Sequence, residues 1–164
     1  MAKFYGKYRA KVEQNVDPKQ LGRLLVRVPK VMGSSDWAHP AMPFAGVQAG
    51  VFVLPPNKAN VWVEFEEGDP EKPIWSGGFW DEKTPMPKAA VTPTGVGHIL
   101  LQTTSGNVVH ICDGPSSPMT SAGILIKSGN STVTIGPDGI KISASKIEIT
   151  GTLNVNNGAL TVSQ

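Results

Sequence analysis

The sequence predicts an all-β protein: an N-terminal five-stranded closed barrel at residues 1–80, then a C-terminal intertwined trimeric triangular β-helix, or β-prism, at residues 98–164. Three observations lead there. The 18 glycines and 14 prolines follow no regular period, which suits many short strands joined by turns and leaves little room for long helices. The first eighty residues hold aromatic-rich runs, whereas aromatics and arginine both vanish after Trp80. From residue 124 onward apolar residues come in pairs split by one polar residue, a strand pattern of period two.

The barrel is predicted from five runs: YRAKVEQN, GRLLVRVP, AGVFVLP, NVWVEFEE and PIWSGGFW. Turn chemistry separates them: Asp17-Pro18 and Gly22 after the first, Pro55-Pro56-Asn57 before the fourth, Gly68-Asp69-Pro70 before the fifth. Five strands in about 75 residues is the strand inventory of a small closed barrel such as the OB-fold. Alternation in NVWVEFEE places Val61, Val63 and Phe65 on the core face and Trp62 on the other, with Glu64 and Glu66.

Residues 81–97, with three prolines and no periodicity, read as an extended linker. Eight short strands follow: HILLQ, VVHIC, GILIK, TVTIG, GIKIS, KIEIT, TLNVN and ALTVS. Later apolar pairs begin at 124, 133, 140, 147, 153 and 160. A spacing near seven suggests a heptad, but here the apolar residues stand two apart with glycines between them, which no coiled coil accepts. A lone ribbon of such narrow strands cannot enclose a core in water. Three copies wound together can, with Ile124, Ile126, Val133, Ile135, Ile140, Ile142, Ile147, Ile149, Leu153 and Val155 lining the axis. Eight strands about 4.8 Å apart make a needle on the order of 40 Å long, and each chain's open edge is paired by a neighbour's.

Composition narrows the function further. A net charge of +2 does not by itself imply a nucleic-acid or membrane partner. Residues 1–30 carry eight Lys or Arg against two acids, and residues 31–97 carry four against eight, so basic first strands lie beside acidic later ones. Cys112, the single cysteine, excludes an internal disulfide and is expected as a small buried hydrophobe. No N-terminal signal peptide and no membrane-spanning run is legible.

GVFVLPPNKANVWVEFEEGDPEKPIWSGGFW, residues 50–80, resembles the end of the OB domain in the central spike proteins of contractile phage baseplates and in type VI secretion and related injection systems. TTSGNVVHICDG, followed by GILIKSGNSTVTIGPDGIKIS, is similar to the junction where those barrels hand over to a trimeric β-helix. The resemblance spans residues 5–160 and implies a homotrimer in the virion tail baseplate, made in the host bacterial cytoplasm. It implies a barrel docked on a baseplate hub protein and a needle driven through the host outer membrane when the sheath contracts. Arg9, Arg23 and Arg27 of the basic early strands, with Trp62, are the hub-facing candidates.

The sequence departs from some relatives. Only the linker stands where certain spikes carry a lysozyme domain, so no wall-degrading activity is expected. His39, His98 and His110 are the three histidines, and none lies near the C-terminal end, so the His-x-His iron tip of some short spikes is not expected, nor any other cofactor. The run ALTVSQ, with Leu160, Val162, Ser163 and Gln164, is expected to form a blunt apolar end that seats a separate PAAR-type tip protein.

Two other classes of function compete. A nucleic-acid-binding OB module would use Trp62, Phe65, Trp75, Phe79 and Trp80 as stacking platforms, but Glu64 and Glu66 beside Trp62 repel phosphate. An enzyme would draw on the carboxylates of EFEEGDPE, yet Gly68 and Pro70 predict a solvated turn there. No P-loop, HExxH or serine elbow occurs, and GVGHIL lacks the third glycine and the helix of a dinucleotide site. A spike of a type VI or extracellular injection system carrying effectors is the remaining alternative to a phage.

Overall fold

The computed structural model describes residues 2–31, 33–34, 36–91 and 95–155. The chain divides into two compact units, Met1–Pro85 and Met86–Gln164. Among the described residues helix is confined to short 3-10 turns at Glu66–Gly68 and Lys88–Ala90.

The first unit contains β1 (Tyr8–Gln14), β2 (Leu24–Arg27), β3 (Asp36–Pro40), β4 (Ala45–Gly46), β5 (Ala49–Gly50), β6 (Asn60–Phe65) and β7 (Pro73–Gly78). A closed barrel runs in the order β1-β2-β3-β7-β6, antiparallel throughout except where β3 meets β7 in parallel. Alternation works as the residues dictate: Val12, Leu24, Val26, Val28, Ala38, Val61 and Val63 are buried inside, with Phe65 and Trp75 in the same core. Each fully buried Val or Leu contributes about 1.5–3 kcal/mol relative to exposure.

The third barrel strand is not the expected AGVFVLP but Asp36–Pro40, paired through Leu24↔Ala38 to β2 and through His39↔Ile74 to β7. Val51 to Leu54 are apolar at both parities and exposed. A barrel wall needs one polar face, and DWAHP supplies it by burying only Ala38 fully.

Loop chemistry closes the barrel at two points. Asp17 accepts hydrogen bonds from the backbone N–H groups of Lys19, Leu21 and Arg23, and from the Arg23 guanidinium at 2.7 Å. That loop turns through Gln20 and Gly22, both at positive φ. At the exit, Asn60 donates to Asp81 and to the Thr84 hydroxyl, each at 2.8 Å, so the turn at Asp81–Thr84 is bonded to the wall.

The second unit is one antiparallel meander of β8 (His98–Gln102), β9 (Val108–Cys112), β10 (Gly123–Ser128), β11 (Ser131–Gly136) and β12 (Gly139–Ser143). Gly129-Asn130 and Pro137-Asp138 make the two-residue turns of its last two hairpins. Gly123 is required, because a Cβ there would lie 2.2 Å from the Ile135 carbonyl oxygen. β8 to β12 pair within one chain. KIEIT and the described residues of TLNVN carry no strand assignment, and among the described residues no segment pairs with the β12 edge. ALTVS lies outside the described residues.

Candidate functional site

The register of the meander builds one continuous apolar face. Ile99, Ile111, Ile124, Ile135 and Ile140 stand directly opposite one another across the five strands. Leu101, Val109, Ile126, Val133 and Ile142 form a second row beside them. Ile124 and Val133 are half-buried, while the other eight are exposed, Ile140 at 70%. Ten apolar side chains on one side of a sheet, eight of them exposed on this chain, mark an interaction surface.

Six of the ten axis candidates, Ile124, Ile126, Val133, Ile135, Ile140 and Ile142, therefore share one face. Ile147, Ile149 and Leu153 are exposed and Val155 half-buried, on chain without strand pairing. Leu160, Val162, Ser163 and Gln164 lie outside the described residues. Sequence reasoning missed Ile99, Leu101, Val109 and Ile111. In HILLQ and VVHIC apolar residues occupy both parities, so alternation could not choose the face, and the hydrogen-bonded register did.

The opposite face holds a small core of Cys112, Met119 and Leu125. Cys112 is buried, with its Sγ 3.6 Å from the Met119 sulfur, which is the expected packing role. His110 is wholly buried with both ring nitrogens unpartnered, edge-on to His98 at 5.7 Å between centroids. Burial first and His98 second push its pKa down, so the imidazole is held neutral. Among the described residues no three His, Cys, Asp or Glu side chains come together as a metal site.

The barrel presents a second, chemically different surface. Register pairs Arg9 with Trp62, and the guanidinium lies 5.4 Å from the Trp62 ring and 4.8 Å from Phe79. Trp62 and Phe79 stack at 4.7 Å between centroids. Lys7 pairs with Glu64 at 2.7 Å and Arg27 with Glu13, so basic first strands do meet acidic partners within one barrel. Arg9 and Arg27 face outward, whereas the Arg23 side chain is only 11% exposed, locked on Asp17 and stacked on Trp37. Arg23 is thereby a structural residue of the β1–β2 loop.

Residues 8–80 match the model of the type VI secretion system and phage-baseplate injector OB domain. Residues 98–161 match the phage baseplate V C-terminal trimerisation domain, a match that opens at the first residue of β8. The chain belongs to the baseplate V injector family. A comparison with curated proteins finds no match. Family membership makes it a baseplate structural protein with an OB barrel and a trimerisation domain, and the apolar face lies inside the segment that carries the trimerisation match.

Proposed function

We propose that three copies of this chain form the central spike of a contractile tail, a non-enzymatic part that docks on the baseplate hub and is driven through the host outer membrane. The observation that carries this reading is the pair of five-residue apolar rows on one side of β8 to β12, within the trimerisation match. Three such faces turned inward make a dry axis. Residues 144–155 then continue it as a β-helix, where Ile147, Ile149, Leu153 and Val155 find in neighbouring chains the partners they lack in their own. A prism in which every backbone group is paired and the core is close-packed has no hinge in which to buckle under axial load.

Arg9, Trp62 and Arg27 are the hub-facing residues in this reading, since Trp and Arg are enriched where separately folded proteins meet. The end at Leu160, Val162, Ser163 and Gln164 would seat a PAAR-type tip. Location tests the function. Antibody or gold label on the chain should mark the axial tip of purified contractile particles, in front of the tail tube. Label on the sheath, the fibres or the capsid would overturn the spike reading.

A further inference from the structure

Between β3 and β6 the barrel carries an arm that its own core does not use. The chain makes the hairpin β4–β5, tipped by Val47, and then runs out as Val51-Phe52-Val53-Leu54. Phe44 and those four residues are exposed, and Val47 is 97% exposed. No Asp, Glu, Lys or Arg occurs between Asp36 and Lys58. The backbone is as unspent as the side chains. Val51 donates to the Phe44 carbonyl at 3.0 Å and the Pro55 carbonyl accepts from Asn15 at 3.0 Å, but the intervening N–H groups of Phe52, Val53 and Leu54 make no backbone hydrogen bond among the described residues. The Phe52 ring rests over Gly22, where a Cβ would come within 2.9 Å of it.

A segment apolar at both parities with unpaired backbone is built to be covered on both sides and to add itself to another surface. We infer that residues 44–54 form a barrel-to-barrel seam, seated on the barrel of a neighbouring copy of this chain. This rests on the trimeric reading of the C-terminal unit. Two observations choose a second copy over a separate protein. First, the trimerisation domain holds three barrels on short tethers, at an effective concentration on the order of mM, so the arm meets a copy before any other partner. Second, its chemistry is that of a permanent interface, which resembles a core cut in half, whereas the Arg9–Trp62–Arg27 surface has the mixed aromatic and charged character of a docking site. An uncharged edge left open until a later partner arrived would pair with any other exposed strand.

The test uses the full-length chain with a benzophenone amino acid at Val53, and at exposed Glu67 as the control position. Irradiation should give chain–chain adducts from Val53 and few from Glu67. In the unsubstituted protein the amides of residues 52–54 should exchange about 100-fold more slowly than in a free peptide. A protein of trimer mass that exchanges these amides freely, or that yields adducts equally from Glu67, overturns the seam and leaves the trimer standing. A monomer mass overturns both.

Discussion

The two units solve the burial problem in opposite ways. The barrel closes its sheet on itself and buries Val12, Leu24, Val26, Val28, Val61 and Val63 inside one chain; the C-terminal meander stays open, with its isoleucine rows uncovered by its own chain. Closure removes the barrel's sheet edges and encloses a core within one chain. An open sheet of short strands is stable only if its apolar face meets another surface. Folding information for the first unit thus lies within one chain, and for the second it lies in three.

The largest test of that contrast is Ile142→Asp. Three carboxylates brought together in a dry axis are unfavourable enough to prevent assembly, so light scattering should fall from about three chain masses to the single 17.4 kDa chain. Trp37, Trp62, Trp75 and Trp80, the only tryptophans, all lie in the first unit, so their emission should stay native. Ile111→Asp, on a residue that alternation did not single out, should do the same. A soluble trimer from either variant breaks the comparison.

Leu24→Ala is the converse experiment. A cavity in the closed core should cost about 2–5 kcal/mol in denaturant unfolding followed by tryptophan emission, while the mass stays that of the trimer. Loss of the trimer together with the barrel would show that the two units do not hold their stability separately.

Acid provides a smaller effect confined to the barrel. Arg23 holds the Asp17 carboxyl well below the usual range, and the Thr84 hydroxyl with Asn60 holds Asp81 at about 2. Both values lie below those of the unfolded chain, so the stability they contribute is complete above about pH 4 and is lost as pH falls through the folded values. Barrel unfolding should become easier between about pH 4 and 2. Asp81→Asn should be less stable than the parent at pH 7 and converge with it near pH 2, as read by tryptophan emission.

Arg9→Ala should have the smallest effect on folding, about 0.5–1 kcal/mol for the lost stacking over Trp62 and Phe79. If the docking proposal holds, the same variant should weaken hub binding well beyond that. Equal losses in folding and binding would assign Arg9 to the barrel alone.

Much of this was legible in the residues. In NVWVEFEE the charges Glu64 and Glu66 fall on one parity, and Val61, Val63 and Phe65 on the other point inward as read, with Trp62 outward. Charges on that one parity leave one solution, because a register shift of one residue would bury them and expose the apolar set. AGVFVLP misled because it is apolar at both parities, which in isolation looks like a fully buried strand. DWAHP, short and broken by His39 and Pro40, carries no such signal, yet it is the wall strand because it pairs on both sides.

By itself the sequence determined the strand periodicity and the set of β10 to β12 side chains that share one face, both local properties of side-chain order. Tertiary structure decided what depends on which strands become neighbours: the parallel β3–β7 closure, the withdrawal of Arg23 into the Asp17 loop, and the entry of Ile99, Leu101, Val109 and Ile111 into the apolar rows. Hydrogen-bond register joins residues distant along the chain, and no local pattern of side chains specifies it.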